Sequence, residues 1–113
     1  MLSKRYRFHS RGGVRYTYQN GQTIRQPKIS LVFCANTHHK QRFAVVVSKK
    51  VLKSAVGRNR IRRRVYEAIR RELPQIKKPV DCIFIVYNRE LTNIAYSEIC
   101  DLVHGLLTEA NII

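Results

Sequence analysis

The segment that most constrains the fold of this 113-residue chain is Val80–Tyr87, which is apolar at nearly every position. Its length suits one β-strand and falls far short of the roughly 18 residues that a membrane-spanning helix needs. A strand that is apolar on both faces has to be covered on both faces, as at the centre of a layered domain. The sequence therefore predicts a central, buried strand here.

Two other segments have strand character, Ile29–Ala35 and Arg42–Ser48. Alternation in the first of them places on one face Ile29, Leu31 and Phe33. A polar stretch at residues 36–41 separates the two segments. This pattern predicts two antiparallel strands joined across a turn.

Three segments are predicted to be helical: Val14–Gln19, Arg58–Leu73 and Thr92–Thr108. The first follows a bend predicted at Gly12-Gly13 and precedes a turn predicted at Asn20-Gly21. The second has an apolar stripe formed by Ile61, Val65, Ala68, Ile69 and Leu73, and Pro74 ends it. In the third, the predicted buried side consists of Ile99, Val103, Leu106 and Leu107. Two strands joined through a helix predict one α+β domain over residues 1–113, with a small sheet and a βαβ-type unit.

Charge is distributed very unevenly along the chain. There are 22 Lys and Arg residues against 7 Asp and Glu, a net charge of +15. Residues 1–66 contain 17 of the bases and no acid, whereas residues 67–113 contain 5 bases and all 7 acids. This asymmetry predicts a polyanionic partner, either a nucleic acid or an anionic membrane. No apolar run can span a bilayer and no signal peptide is visible, so we expect no membrane partner.

The densest basic segment opens the second predicted helix, where five arginines lie within Arg58–Arg64. At 100° per residue, the side opposite Ile61, Val65 and Ala68 carries within about 60° Asn59, Arg63, Tyr66 and Arg70. Arginine forks onto phosphate oxygens and stacks on bases, which favours a nucleic-acid surface over a solvated basic face. For Tyr66 two interpretations stay open: a platform on which a base stacks, or a half-buried packing residue.

Lysines gather just ahead of this helix, at Lys49, Lys50 and Lys53. Positive charge beside a helix N-terminus opposes the helix dipole, and a bound phosphate relieves that cost. The lysines therefore extend the predicted anion-binding surface.

A catalytic or metal centre made of protein side chains is not indicated. The acids do not form the close cluster that two-metal nucleases use, and no nucleophile triad or phosphate-loop motif is present. The cysteines, Cys34, Cys82 and Cys100, form neither a ligand pair nor a disulfide framework. We therefore expect reduced thiols and a cytoplasmic protein.

Two motifs stand seven residues apart, Ser48-Lys49-Lys50 and Arg58-Asn59-Arg60-Ile61-Arg62-Arg63. Together they resemble the signature of the bacterial ribonuclease P protein component. The likeness extends to the basic start at residues 1–7, to Gly21 and to Asp81 at the head of an apolar strand. The resemblance implies a small α+β sandwich with a central, mostly antiparallel sheet, helices packed on it and a left-handed βαβ crossover.

The resemblance also implies a function and its partners. The protein works with a catalytic RNA, the ribonuclease P RNA, which cleaves the 5′ leader from precursor tRNA and binds most of the Mg²⁺. No protein partner is expected. The residues implied to face the catalytic RNA are Lys49, Lys50, Lys53, Arg58, Asn59, Arg60, Arg62 and Arg63.

A cleft between the first helix and the sheet is implied to hold the single-stranded leader. Its expected residues are Tyr18, Val14, Val32 on the exposed face of the first strand, and Tyr66. The family usually has an acidic–aromatic pair where this chain has Gly13-Val14. Tyr18 and Tyr66 are therefore expected to supply the stacking that an aliphatic side chain cannot.

Two rival functions fit the same charge pattern. One is a non-enzymatic RNA-binding protein of the ribosomal type, and the other is a helix that binds the major groove of DNA. The chain shows no partner helix or dimer signal for the DNA-binding alternative. The RNA that copurifies with the protein separates a ribosomal role from a ribonuclease P role.

Overall fold

A computed structural model describes residues 2–8, 11–37 and 39–113. The helices and strands within these ranges are, in chain order, α1 (Arg11–Asn20), β1 (Gln22–Ile24), β2 (Ile29–Ala35), β3 (Arg42–Val47), α2 (Ala55–Glu72), β4 (Val80–Val86) and α3 (Tyr96–Glu109). Short 3-10 helices lie at Lys4–Tyr6, Leu73–Gln75 and Arg89–Thr92. The predicted α+β class is confirmed.

The strands form one sheet in the order β1-β2-β4-β3, antiparallel except for the parallel pair β3–β4. β4 is buried along almost its whole length between β2 and β3, which confirms the predicted central strand. Because α2 connects the neighbouring parallel strands β3 and β4, the predicted βαβ unit is also present. The left-handed sense of that crossover stays a prediction.

The predicted hairpin between the strands at Ile29–Ala35 and Arg42–Ser48 is wrong. β2 pairs with β4 over its full length, from Ile29 opposite Val86 to Ala35 opposite Val80. Residues 36–41, of which His38 lies outside the described residues, therefore connect strands that are two spacings apart, about 10 Å. In the observed order β4, the most apolar strand, is paired on both edges. A β2–β3 hairpin would instead leave β4 at the edge of the sheet, with one side unpaired.

Helices cover both faces of the sheet, which confirms the predicted sandwich. The larger core lies beneath α2 and α3, and its buried helical residues include Ile61, Val65, Ile69, Ile99, Val103, Leu106 and Leu107. The smaller core lies beneath α1 and consists of Phe8, Val32, Ala44 and Ile83, with Val14 packed at its rim. None of the helices in the described ranges is long and apolar enough to cross a membrane.

Several predicted element boundaries are wrong. α1 begins at Arg11, so Gly12 and Gly13 lie in its first turn instead of forming a bend. α2 begins three residues early, because the Ser54 side chain accepts a hydrogen bond from the Gly57 amide at 3.1 Å and caps the helix. The last helix, α3, begins at Tyr96 instead of the predicted Thr92, where a 3-10 helix ends, and the short edge strand β1 was not predicted.

Gly21 ends α1 at a point where the helix passes close to β2. Its amide donates to the Thr17 carbonyl at 2.8 Å. A Cβ atom on residue 21 would lie 2.5 Å from that oxygen and 2.6 Å from the Phe33 carbonyl oxygen. The predicted turn at Asn20-Gly21 is confirmed, and this close approach explains why a glycine stands there.

Candidate nucleic-acid interface

The outward side of α2 presents the predicted cationic surface. Its buried side packs on the sheet, and the exposed residues along the rest of the helix include Asn59, Arg60, Arg63 and Arg70. Arg58 and Arg62 are partly buried at the margins. Lys49, Lys50 and Lys53 are exposed in the loop just ahead of the helix.

Arg58 joins this loop to the helix. One of its terminal nitrogens donates to the carbonyl oxygens of Leu52 at 2.9 Å and Lys53 at 2.7 Å. The loop lysines and the α2 arginines therefore belong to one continuous surface. We call this surface, formed by Lys49, Lys50, Lys53 and the exposed arginines of α2, the cationic face.

Two arginines of α2 are also structural. Arg60 Nε donates to the Thr92 carbonyl at 2.9 Å, and Arg64 donates to the carbonyls of Leu91, at 2.6 Å, and Ile94. These bonds attach the segment before α3 to α2. Arg63, in contrast, makes no side-chain hydrogen bond to any residue that the structure describes, so its guanidinium is available to a partner.

Tyr66 belongs to the core and not to the cationic face. Its side chain is only 9% exposed, and its hydroxyl oxygen accepts a hydrogen bond from the Val45 amide at 3.3 Å on the edge strand β3. The Arg7 guanidinium lies 5.5 Å from the ring centroid. Burial raises the pKa of Tyr66, and the Val45 hydrogen bond and nearby Arg7 offset this only in part. The packing interpretation is confirmed, and the predicted stacking role is wrong because the ring turns from the flank of α2 onto β3.

On the opposite face of the sheet, α1 packs over β2 and β4 and leaves a strip open beside β3. Tyr18, Tyr87 and Val46 are 45%, 44% and 36% exposed along this strip. Val46 is the register partner of Ile85, and the half-buried Ile85 forms part of the floor of this strip. Burial, and then the neighbouring Tyr87, raise the pKa of Tyr18. The result is an exposed, mainly apolar strip of the sheet with two tyrosines, which we call the sheet cleft.

The residues predicted to bind the leader differ in their location and burial. Tyr18 lies at the sheet cleft. Val14 is half-buried at the rim of the smaller core, and Val32 is only 4% exposed. The predicted exposed face on β2 is wrong, because α1 and Phe8 cover it. Sequence reasoning missed Tyr87, Val46 and Ile85, although the alternation of the central strand, continued to Tyr87, would have placed Ile85 and Tyr87 on this face.

The described residues bring together no group of three or more His, Cys, Asp or Glu side chains that could hold a metal ion. The three cysteines are free thiols. The candidate site consists of two surfaces on opposite sides of the sheet, the cationic face and the sheet cleft.

Comparison with known proteins gives one family. The profile described as Ribonuclease P matches residues 2–111. A ribonuclease P protein component from Roseiflexus castenholzii is 33% identical over 112 residues, covering 99% of this chain and 91% of that protein. The Clostridium botulinum (strain Langeland) protein of the same name is 34% identical over 99 residues, covering 87% of each chain.

Solved structures agree in fold. The RNase P protein of Staphylococcus aureus superposes with a TM-score of 0.82 at 23% identity, over 95% of this chain and 96% of that one. The RNase P protein from Thermotoga maritima superposes with a TM-score of 0.81 at 23% identity, over 91% of this chain and 96% of that one.

Proposed function

This chain belongs to the ribonuclease P protein component family, and we propose that it binds the RNA subunit of that enzyme through the cationic face and the precursor leader through the sheet cleft. Ribonuclease P is the endoribonuclease that removes the 5′ leader of precursor tRNA, and this chain is its protein component. The observation that carries the proposal is the separation of two chemically different surfaces by one sheet.

The cationic face suits a folded RNA. Its arginines and lysines line one helix and the loop attached to it, and a carboxylate that pairs with one of them belongs to Glu67 on the same helix. Phosphate contacts of this kind supply affinity that is strongly salt-dependent and position a protein on an RNA backbone. This chemistry supports an RNA subunit as the partner.

The sheet cleft suits a single strand. Aromatic side chains beside an apolar floor stack unpaired bases without strict sequence preference. Tyr18 and Tyr87 lie near each other beside that floor, which includes the register partners Val46 on β3 and Ile85 on β4. An unpaired leader segment has the chemistry that this cleft accepts.

In this proposal the protein acts in the cytoplasm, where the RNA subunit carries the chemistry and binds most of the Mg²⁺. No group of three or more His, Cys, Asp or Glu side chains that could hold a metal ion occurs in the part of the chain that the structure describes, and residues 1–66, which include most of the cationic face, contain no Asp or Glu. The role of the protein is then to hold the RNA subunit and the substrate together. We derive no catalytic step for any of its side chains.

A reconstitution experiment tests this division of labour. The RNA that copurifies with the protein is sequenced, transcribed and assayed on precursor tRNA with and without protein. We expect no cleavage by protein alone, and stimulation of RNA-dependent cleavage at low Mg²⁺. Robust cleavage by protein without RNA would overturn the division of labour, and copurified ribosomal RNA would favour the ribosomal alternative.

The two surfaces are separated by a second test. Tyr18→Ala is expected to weaken precursor binding by about 5-fold or more, the loss of one stacking contact, while leaving affinity for the RNA subunit unchanged. Tyr16→Ala is the matched control, because Tyr16 is 58% exposed on the same helix but about 200° away from Tyr18. Equal losses of precursor and RNA-subunit affinity in Tyr18→Ala would contradict a leader site in the sheet cleft.

A further inference from the structure

A pocket of about 290 Å³ lies between α2 and the start of α3. Its lining residues are Arg60, Arg63, Arg64, Glu67 and Tyr96. We call it the α2–α3 pocket. It is a shallow depression, and it includes an aromatic side chain beside the arginines.

Two of the guanidinium groups are held in place before any ligand arrives. Arg60 is attached to the Thr92 carbonyl, and Arg64 to the carbonyls of Leu91 and Ile94. When a long side chain is already held in place, less conformational entropy is lost on binding. Arg63 stands beside them with its guanidinium exposed.

The pocket has an excess of positive charge. Its one carboxylate belongs to Glu67, whose Oε1 is engaged by Arg70 Nε at 2.6 Å. Burial lowers the pKa of Arg64, and the neighbouring Arg60 guanidinium lowers it further. Both effects disfavour the bare cationic cluster, and a bound anion would counteract the repulsion between these two arginines.

Tyr96 adds a surface for a planar group. It is the first residue of α3, is half-buried, and packs against the larger core. The Arg71 guanidinium lies 5.9 Å from its ring centroid, which helps to hold the ring in position. A carboxylate-bearing peptide would use the arginines alone, whereas a nucleotide uses both the arginines, through its phosphate, and the ring, through its base.

We propose that the α2–α3 pocket takes one unstacked nucleotide of the RNA subunit, with its phosphate on Arg60 and Arg63 and its base against Tyr96. The inference rests on the proposed function and adds to it a discrete point of attachment. Elsewhere on the cationic face, contacts to phosphate position the RNA without reading individual nucleotides.

Photochemical crosslinking tests the pocket directly. The complex of full-length protein with its copurified RNA is irradiated, digested with nuclease and trypsin, and analysed by mass spectrometry. Arg89 is the last Lys or Arg of the chain, so trypsin releases residues 90–113 as one peptide in which Tyr96 is the single tyrosine. We expect a nucleotide adduct that fragmentation places at Tyr96. Adducts confined to other peptides would overturn the inference.

Affinity measurements provide an independent test. We expect Tyr96→Ala to bind the RNA subunit about 5- to 100-fold more weakly, and Tyr96→Phe, which keeps the ring, to stay within about 2-fold of the wild type. Tyr16→Ala serves as the control on a remote helix. Thermal unfolding of each variant shows whether Tyr96→Ala is folded, and the crosslink on the unmodified chain decides the question if it is not.

The outcomes distinguish this inference from the proposed function. Unchanged affinity in folded Tyr96→Ala, with normal RNA-dependent cleavage, would overturn the pocket and leave the proposed function standing. Failure of the wild-type protein to bind the copurified RNA would overturn both. Displacement of the RNA by an acidic peptide but not by adenosine 5′-monophosphate would assign the pocket to a protein partner instead.

Discussion

Arg42 and Asp81 form a two-pronged ion pair between neighbouring parallel strands: Arg42 Nε donates to Asp81 Oδ1 and Nη2 donates to Oδ2, both at 2.8 Å. The two residues are register partners in the β3–β4 pair. Asn36 also donates to Asp81 Oδ1 at 2.8 Å, and the Arg42 guanidinium lies 4.4 Å from the Phe8 ring centroid. The pair therefore joins β3 to β4, and through Arg42 it also contacts Phe8 in the N-terminal segment that covers the sheet.

Removing the carboxylate from this pair is expected to be costly. In Asp81→Ala the Arg42 guanidinium, whose side chain is 18% exposed, loses its partner, and we expect a loss of about 3 kcal/mol in the free energy of unfolding. Chemical denaturation measures it. Glu90→Ala, which breaks the exposed Lys28–Glu90 pair at 3.6 Å, is the control and is expected to cost less than about 1 kcal/mol. Equal effects of the two variants would contradict a structural role for the Arg42–Asp81 pair.

The burial of Tyr66 predicts an effect on stability without an effect on substrate. Tyr66→Phe removes the acceptor of the Val45 amide, and we expect a loss of about 1 kcal/mol in the free energy of unfolding. Precursor binding is expected to stay at the wild-type value, because the ring lies in the core. A selective loss of precursor affinity with unchanged stability would restore the stacking interpretation.

The glycines at positions 21 and 105 predict opposite outcomes for the same substitution. Gly21→Ala drives a Cβ atom to within 2.6 Å of two carbonyl oxygens, and we expect destabilisation of more than about 1 kcal/mol. Gly105→Ala, inside α3, meets nothing within 4 Å and is expected to stabilise the protein by about 0.5–1 kcal/mol. Thermal unfolding of both variants checks the two signs, and a neutral Gly21→Ala would show that α1 can move away from β2.

Adjacent arginines of α2 are expected to fail in different ways. Arg63→Ala should leave the free energy of unfolding within about 0.5 kcal/mol of the wild type and reduce the salt slope of RNA binding by about 0.7–0.9 for each lost phosphate contact. Arg64→Ala should lose about 1–3 kcal/mol of stability, because the carbonyls of Leu91 and Ile94 lose a charged donor. RNA titrations at several salt concentrations and denaturant melts measure the two quantities. An unchanged slope in Arg63→Ala would mean that this arginine does not touch phosphate.

Local pattern was sufficient for the three helices, for β2, β3 and β4 and for the position of the cationic face, but not for β1 or for the exact helix boundaries. The spacing of Ile61, Val65 and Ile69 identified the buried side of α2, and the arginines between them were therefore placed outside. The continuous apolarity of Val80–Tyr87 identified the central strand. Such properties depend on residues within one or two turns of each other, and a single sequence contains them completely.

Strand order, by contrast, was decided only in the tertiary structure. Whether β2 pairs with β3 or with β4 is a competition between partners distant in sequence, and the adjacent pair Ile29–Ala35 and Arg42–Val47 loses it to the more apolar β4. The packing of α1 against β2 and β4, also a contact between distant segments, buries Val32, while Tyr87 and Val46 stay exposed.

The roles of individual side chains were determined in the same way. By helical angle Tyr66 falls on the same side of α2 as Arg63, yet its ring reaches β3. The sequence does not distinguish Arg60 and Arg64 from Arg63, but in the structure these two donate hydrogen bonds to carbonyls of the segment before α3. The sequence by itself determined that this protein has a basic helix for an anionic partner and a layered core. Only the tertiary structure decided which arginines are free to bind a partner. The reason is that long side chains donate hydrogen bonds to carbonyl oxygens that folding brings near them from distant parts of the chain.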